Sequence, residues 1–142
     1  MRHKTGDECG PPPAVRRLQR AWYRLSPGQW LLETECAHLA ELLPDLFGYH
    51  VLQVGCLADA NLLGSSRITH RVVLAGDTES AGGAVVPGVY ALPDALPIAA
   101  DSVDVVVLAH TLEFEADPHD ALREAERVLI PEGYVVILGF NP

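Results

Sequence analysis

The folds open to this chain narrow most at a short apolar run, Val103 and Val105 to Leu108, broken only by Asp104. It is too short to span a membrane and rich in β-branched residues. Such a run suits a strand covered on both faces, as in a parallel sheet. Asp117 then offers an N-cap, Pro118 a first helical position, and Ala121, Leu122, Ala125, Val128 and Leu129 one helical face. Pro131 and Gly133 stop that helix, and Tyr134 to Leu138 reads as the next strand. Strand, helix and strand in this order predict a β-α-β unit, with more of the same sheet upstream.

A chain of 142 residues can bury one sizeable core. The expected organisation is a flexible, proline-rich leader over 1–14 and a single α/β domain over 15–142. Charge is unevenly spread. Residues 1–24 carry a net of +4 and residues 25–142 a net of −13. So acidic a body repels phosphates and argues against a nucleic-acid partner. Cys9, Cys36 and Cys56 show no C-x-x-C spacing, which indicates neither a disulfide framework nor a zinc knuckle and fits a reducing cytoplasm. Pro11-Pro12-Pro13 stands where the apolar part of a signal peptide would lie, and no stretch approaches the roughly 18 apolar residues of a membrane helix. A soluble cytoplasmic protein with no membrane partner is expected.

Arg16 to Leu25 reads as a short helix, with Trp22 and Tyr23 as aromatic anchors against the core. Ser26, Pro27 and Gln29 form a capping box for a second helix. In it Leu32, Cys36, Leu39 and Leu43 take the buried face, Glu33, Glu35 and Glu41 face water, and Pro44 ends it. Tyr49 to Gly55 is the first sheet strand, followed by a short helix ending at Gly64. Thr69 to Leu74 is the second strand. Residues 78–88 hold three glycines and a proline and form helix poorly. A third strand is expected at Val89 to Ala91.

The pieces Leu96-Pro97-Ile98, Ser102 to Val106, Asp117-Pro118, Ala121 to Glu124, Arg127 to Leu129 and Pro131-Glu132-Gly133 resemble the second half of class I S-adenosylmethionine-dependent methyltransferases. The resemblance covers roughly residues 26–142. It implies a Rossmann-like, doubly wound, mostly parallel sheet of about five strands with N-terminal helices, lacking the family's two C-terminal strands. It implies S-adenosylmethionine as cofactor and a small-molecule methyl acceptor. Carried over by position, it puts Gln53, Gly55, Cys56 and Leu57 at the methionine moiety, Asp77 at the ribose, Ala95 and Leu96 near the adenine, Ala109 among the cofactor-binding residues, and His110 beside the acceptor. The sequence departs from the family's glycine motif, keeping Gly55 but having Leu57 and Asp59 where glycines are usual. Gln53 also stands where an acid is usual.

In open α/β sheets ligands bind beyond the carboxyl ends of the strands, which suits Ala109, His110 and Glu113. His110 is the candidate catalytic base, since imidazole titrates near neutrality. His110, Glu113, Glu115, Asp117 and His119 crowd together, but they lack H-E-x-x-H spacing and Asp117 is committed to a cap, so no metal site is assigned. Asp104 reads as structural, and Glu124 with Arg127 as a solvated i,i+3 pair. Val135 to Leu138 would leave a hydrophobic edge through which two copies can pair. The rival reading is a non-catalytic binding or assembly protein that keeps the fold. An NAD-dependent dehydrogenase is disfavoured because G-x-G-x-x-G is absent after the first strand.

Overall fold

The computed structural model of the chain describes residues 13–57, 60–75 and 88–141. Two helices lead, α1 (Pro13–Tyr23) and α2 (Ser26–Leu42), followed by a 3-10 turn (Leu43–Asp45) that contains Pro44. Next come β1 (His50–Val54), β2 (His70–Ala75), β3 (Gly88–Tyr90) and β4 (Val103–Ala109). A 3-10 turn (Leu112–Phe114), α3 (Pro118–Val128) and β5 (Leu129–Leu138) complete the described chain. All strands join one sheet in the order β3-β2-β1-β4-β5, and every neighbouring pair is parallel. This is the Rossmann-like sheet expected from the sequence.

The apolar run is explained by its two faces. Successive strand side chains point to opposite sides. On β4, Val105, Val107 and Ala109 join one core with Tyr23, Leu39 and Leu43 of the N-terminal segments. Val103, Val106 and Leu108 join the other, with Ala125 and Val128 of α3. β1 divides likewise, Val51 to the first core and Leu52 and Val54 to the second. Both faces are covered, so no position in the run can be polar except Asp104. Its Oδ2 accepts bonds from the backbone N–H groups of Tyr49 and His50, both at 2.9 Å, and fixes the start of β1.

Several expectations shift. With only Arg24 and Leu25 between α1 and α2, Leu25 takes the extended N-cap conformation and Ser26 is already helical. No side chain caps this helix, so the Ser26–Gln29 box is not made. Glu33 and Glu41 face solvent as expected, but Glu35 is drawn inward to His110. The short helix expected before Gly64 is a turn, with Gly64 N–H bonded to Asn61 O and Ser66 N–H to Leu63 O. Leu57, Leu62, Leu63 and Ile68 all enter the same core, and the compact loop buries them without helical spacing. Leu129 opens β5 rather than closing the helical face. Val103 pairs with Leu129 and Val105 with Tyr134, so residues 130–133 bulge out; Pro131 and Gly133 shape that bulge.

β5 lies at the sheet edge, with Tyr134, Val135 and Ile137 exposed. A groove of about 460 Å³ runs between α3 and the bulge, at the end of the sheet where β4 and β5 begin. No helix among the described residues is long and apolar enough to cross a membrane.

Candidate functional site

From β1 the chain moves outward through β2 to β3, then returns to β4 on the other side of β1 and on to β5. The direction of winding therefore reverses between β1 and β4, and crevices in such sheets open beyond the strand ends at that reversal. Gly55 stands there with φ +93°, a conformation open chiefly to glycine. A Cβ on Gly55 would lie 2.6 Å from Ala109 O and 3.0 Å from Thr111 Oγ1. The hydroxyl of Thr111 donates to Val54 O at 2.8 Å and ties the two strand ends together. Thr111 was not marked by any sequence signal, because a threonine after a strand is ordinary.

The other residues assigned to the methionine end are turned inward. Gln53 is buried, and its Nε2 donates to Gly55 O at 2.7 Å, within its own loop. Leu57 is 1% exposed and packs in the core with Leu39 and Val105. Cys56 is half-buried against the same core. Asp77 lies outside the described residues.

At the adenine end Ala95 is exposed, and its N–H closes a turn onto Leu92 O. Leu96 is buried and clasped by α3. Its N–H donates to Glu124 Oε2 at 2.9 Å, and its carbonyl accepts from Arg127 Nη2 at 3.0 Å. Arg127 Nη1 also reaches Ile98 O, and its Nε bonds Glu124 Oε1 at 2.7 Å. The bond from Arg127 holds the Glu124 carboxyl below the usual range. This pair is thus a loop clasp and not only the solvated pair its spacing suggests. Asp94, just before Leu96, has a buried Oδ1 without a hydrogen-bond partner among the described residues.

His110 follows Ala109 with φ +47°, and its N–H bonds Leu138 O at 3.0 Å. Its side chain is fully buried. Nε2 lies 2.5 Å from Glu35 Oε1 and Nδ1 3.1 Å from Glu113 Oε1. Burial alone would lower its pKa, but the bonds and fields of Glu35 and Glu113 prevail and raise it. A carboxylate at each ring nitrogen favours the protonated ring, in which both nitrogens donate. In that state it has no lone pair with which to accept a proton. Tyr23 and Phe140 flank it, with ring centroids 5.9 and 4.5 Å away. The Cβ that Gly28 lacks would meet Trp22 O at 2.2 Å, so its absence lets α2 press against the end of α1 and seat Tyr23. Burial first, then Glu35, pushes the Cys36 thiol up, which keeps it inert. Among the described residues no group of three His, Cys, Asp or Glu is placed to hold a metal ion.

Comparison with known proteins agrees with this architecture. The family profile described as "Methyltransferase domain" matches residues 52–137, from β1 to the end of β5. The chain is 45% identical over 97 residues to the uncharacterized protein YafS of Escherichia coli K12, covering 68% of this chain and 38% of that one. It is 29% identical over 144 residues to a malonyl-[acyl-carrier protein] O-methyltransferase of Dechloromonas aromatica, covering 95% of this chain and 55% of that one. Among solved structures, a SAM-dependent methyltransferase from Thermotoga maritima superposes with a TM-score of 0.63 at 22% identity, covering 87% of this chain and 58% of that one. The chain therefore spans between about a third and three fifths of the length of these relatives. With the profile lying over the five strands that bring Gly55 beside Ala109, the chain belongs to the methyltransferase-domain family, whose expected cofactor is S-adenosylmethionine.

Proposed function

We propose that the chain forms the cofactor-binding part of a cytoplasmic enzyme that transfers a methyl group from S-adenosylmethionine to a small molecule. The observation that carries this reading is the reversal between β1 and β4, with Gly55 at φ +93° packed on Ala109. One residue in particular supports a fit to the cofactor. Asp94 Oδ1, in the loop assigned to the adenine, is a buried acceptor with no partner among the described residues, and an amino group is the kind of donor it lacks. The groups that would hold the cofactor are Asp94, the backbone of Gly55 to Leu57, Ala109, and Ala95 and Leu96 as apolar neighbours. Asp77 is the proposed ribose ligand. When bound, the cofactor supplies a methyl group already activated on a sulfonium. The chain's own work is then to orient and to exclude water, which can supply much of a rate. Glu124 and Arg127 serve that end by fixing the loop of Leu96.

Calorimetric titration with S-adenosylmethionine and S-adenosylhomocysteine tests the reading. Saturable micromolar binding that is lost in Gly55→Trp and weakened in Asp94→Ala is expected. No heat at millimolar ligand would abandon it. The second reading, a non-catalytic protein on the same fold, is favoured by Leu57. Its side chain fills core space at the loop where family members have glycine. That reading predicts the silent titration. Pairing of two copies along β5 is also proposed, from the exposed apolar edge. Sedimentation over a concentration series checks it, and a monomer throughout would remove it.

A further inference from the structure

Four buried side-chain polar atoms of the described residues lack a hydrogen-bond partner: Gln19 Nε2, Tyr23 Oη, Glu35 Oε2 and Asp94 Oδ1. Glu35 belongs to the cluster around His110, and Tyr23 packs against that ring. Gln19 precedes Tyr23 by one turn of α1. Each such atom costs on the order of 1–3 kcal/mol if left unpaired, and two of them, on Tyr23 and Glu35, share the surroundings of His110 and mark a candidate binding locus. Tyr23 is only 1% exposed, yet its hydroxyl is unpaired. Burial and then the fields of Glu35 and Glu113 raise the pKa of that hydroxyl and keep it protonated.

We propose that this cluster at the carboxyl end of β4, built from Tyr23, Glu35, His110 and Glu113, binds an organic amine as its ammonium ion, and that the amine is the methyl acceptor. The assignment as acceptor rests on the methyl-transfer reading; the ammonium site itself does not. Two carboxylates surround one imidazolium, and a cation at Glu35 Oε2 balances the remaining charge. It also gives that oxygen the donor it lacks. A carboxylate or phosphate ligand would instead meet two negative groups. Three aromatic rings stand by, Tyr23 and Phe140 beside His110 and Trp22 edge-on to Phe140 at 6.3 Å. Such faces attract organic cations. Trp22 and Phe140 are themselves partly exposed to solvent. An ammonium ion has no lone pair, so Glu35 Oε2, rather than His110, would first take its proton. The freed amine nitrogen would then form the N–CH3 bond as the sulfonium's S–CH3 bond breaks, with the thioether as leaving group.

The test uses n-butylamine and its neutral counterpart n-butanol on the whole chain without cofactor. Trp22 fluorescence and the ring 15N signals of His110 are followed. Saturable changes with the amine, at least tenfold weaker with the alcohol, are expected. Glu35→Gln should weaken the amine tenfold or more. Glu41→Gln, exposed on the same helix, should leave it unchanged. Should Glu35→Gln not fold, Tyr23→Phe serves instead, with a several-fold loss expected. Equal responses to amine and alcohol, absence of saturation, or undiminished binding by Glu35→Gln would overturn the site. Amine binding in a chain that gives no heat with S-adenosylmethionine would keep the ammonium site and remove the acceptor assignment. The reverse pattern would remove the site and leave the methyl-transfer reading intact.

Discussion

The two halves of the sheet, divided between β1 and β4, are held together differently. In the half of β4, α3 and β5, polar side chains bind backbone far away in sequence. Asp104 holds Tyr49 and His50, Thr111 holds Val54, and Glu124 with Arg127 holds Leu96 and Ile98. In the half of β2 and β3, β3 has three residues, pairs only with Val73 to Ala75, and leaves Val89 and Tyr90 exposed. The lesson is where rigidity lies. Buried, multiply tied elements open only with global unfolding, whereas short exposed strands open locally. His110 therefore stands at a strand end of the rigid half, and Gly55, at the end of β1, is tied to that half by the bond from Thr111 to Val54, which suits a site that must orient its ligand.

The contrast can be broken by mutation. Leu108→Ala removes a fully buried side chain from β4 and should cost about 2–5 kcal/mol in denaturant unfolding. A loss under about 1 kcal/mol would show that the rigid half is looser than its packing implies. Thr111→Val deletes the bond between the ends of β1 and β4 and should cost roughly 0.5–1.5 kcal/mol. Its amide exchange should quicken at Gly55 before it does in α3. Next comes a pH effect at His110. Its pKa is raised above the usual 6.5, so folding binds this proton more tightly than the unfolded chain does. That stabilisation is complete below the unfolded value and is lost as pH rises through the folded one. The melting temperature should fall as pH is raised above about 6.5, by an amount that His110→Gln removes. A profile identical in both proteins would contradict the imidazolium. The smallest effect is expected for Val89→Ala, half exposed on β3, within about 0.5 kcal/mol of wild type.

The same division decides how much could be read from the sequence. The unit from Val103 to Leu138 announced itself through local chemistry: the apolar run, Asp117 accepting from His119 N–H, and Pro118 in the first turn. Each of those signals acts within a few residues, so a sequence displays them. Asp104 reads correctly as structural, since a strand's amino end lies away from the crevice. The clasp of Glu124 and Arg127 was legible only as an i,i+3 pair, because Leu96 and Ile98 lie some thirty residues earlier. Glu35 looked solvated for a similar reason. Its partner His110 is 75 residues away, and helical spacing alone cannot show that a glutamate on a helix flank meets a buried ring. The turn at 61–64 defeated the expected helix because consecutive leucines satisfied the core without helical periodicity.

Chemical-shift mapping with S-adenosylhomocysteine on 15N-labelled chain tests the central claim most directly. The account predicts saturable shifts confined to Gly55 and Cys56, Asp94 to Leu96, and Ala109 to Thr111. It predicts none in the groove between α3 and the bulge at 130–133. Shifts confined to that groove, or an unchanged spectrum at millimolar ligand, would contradict it.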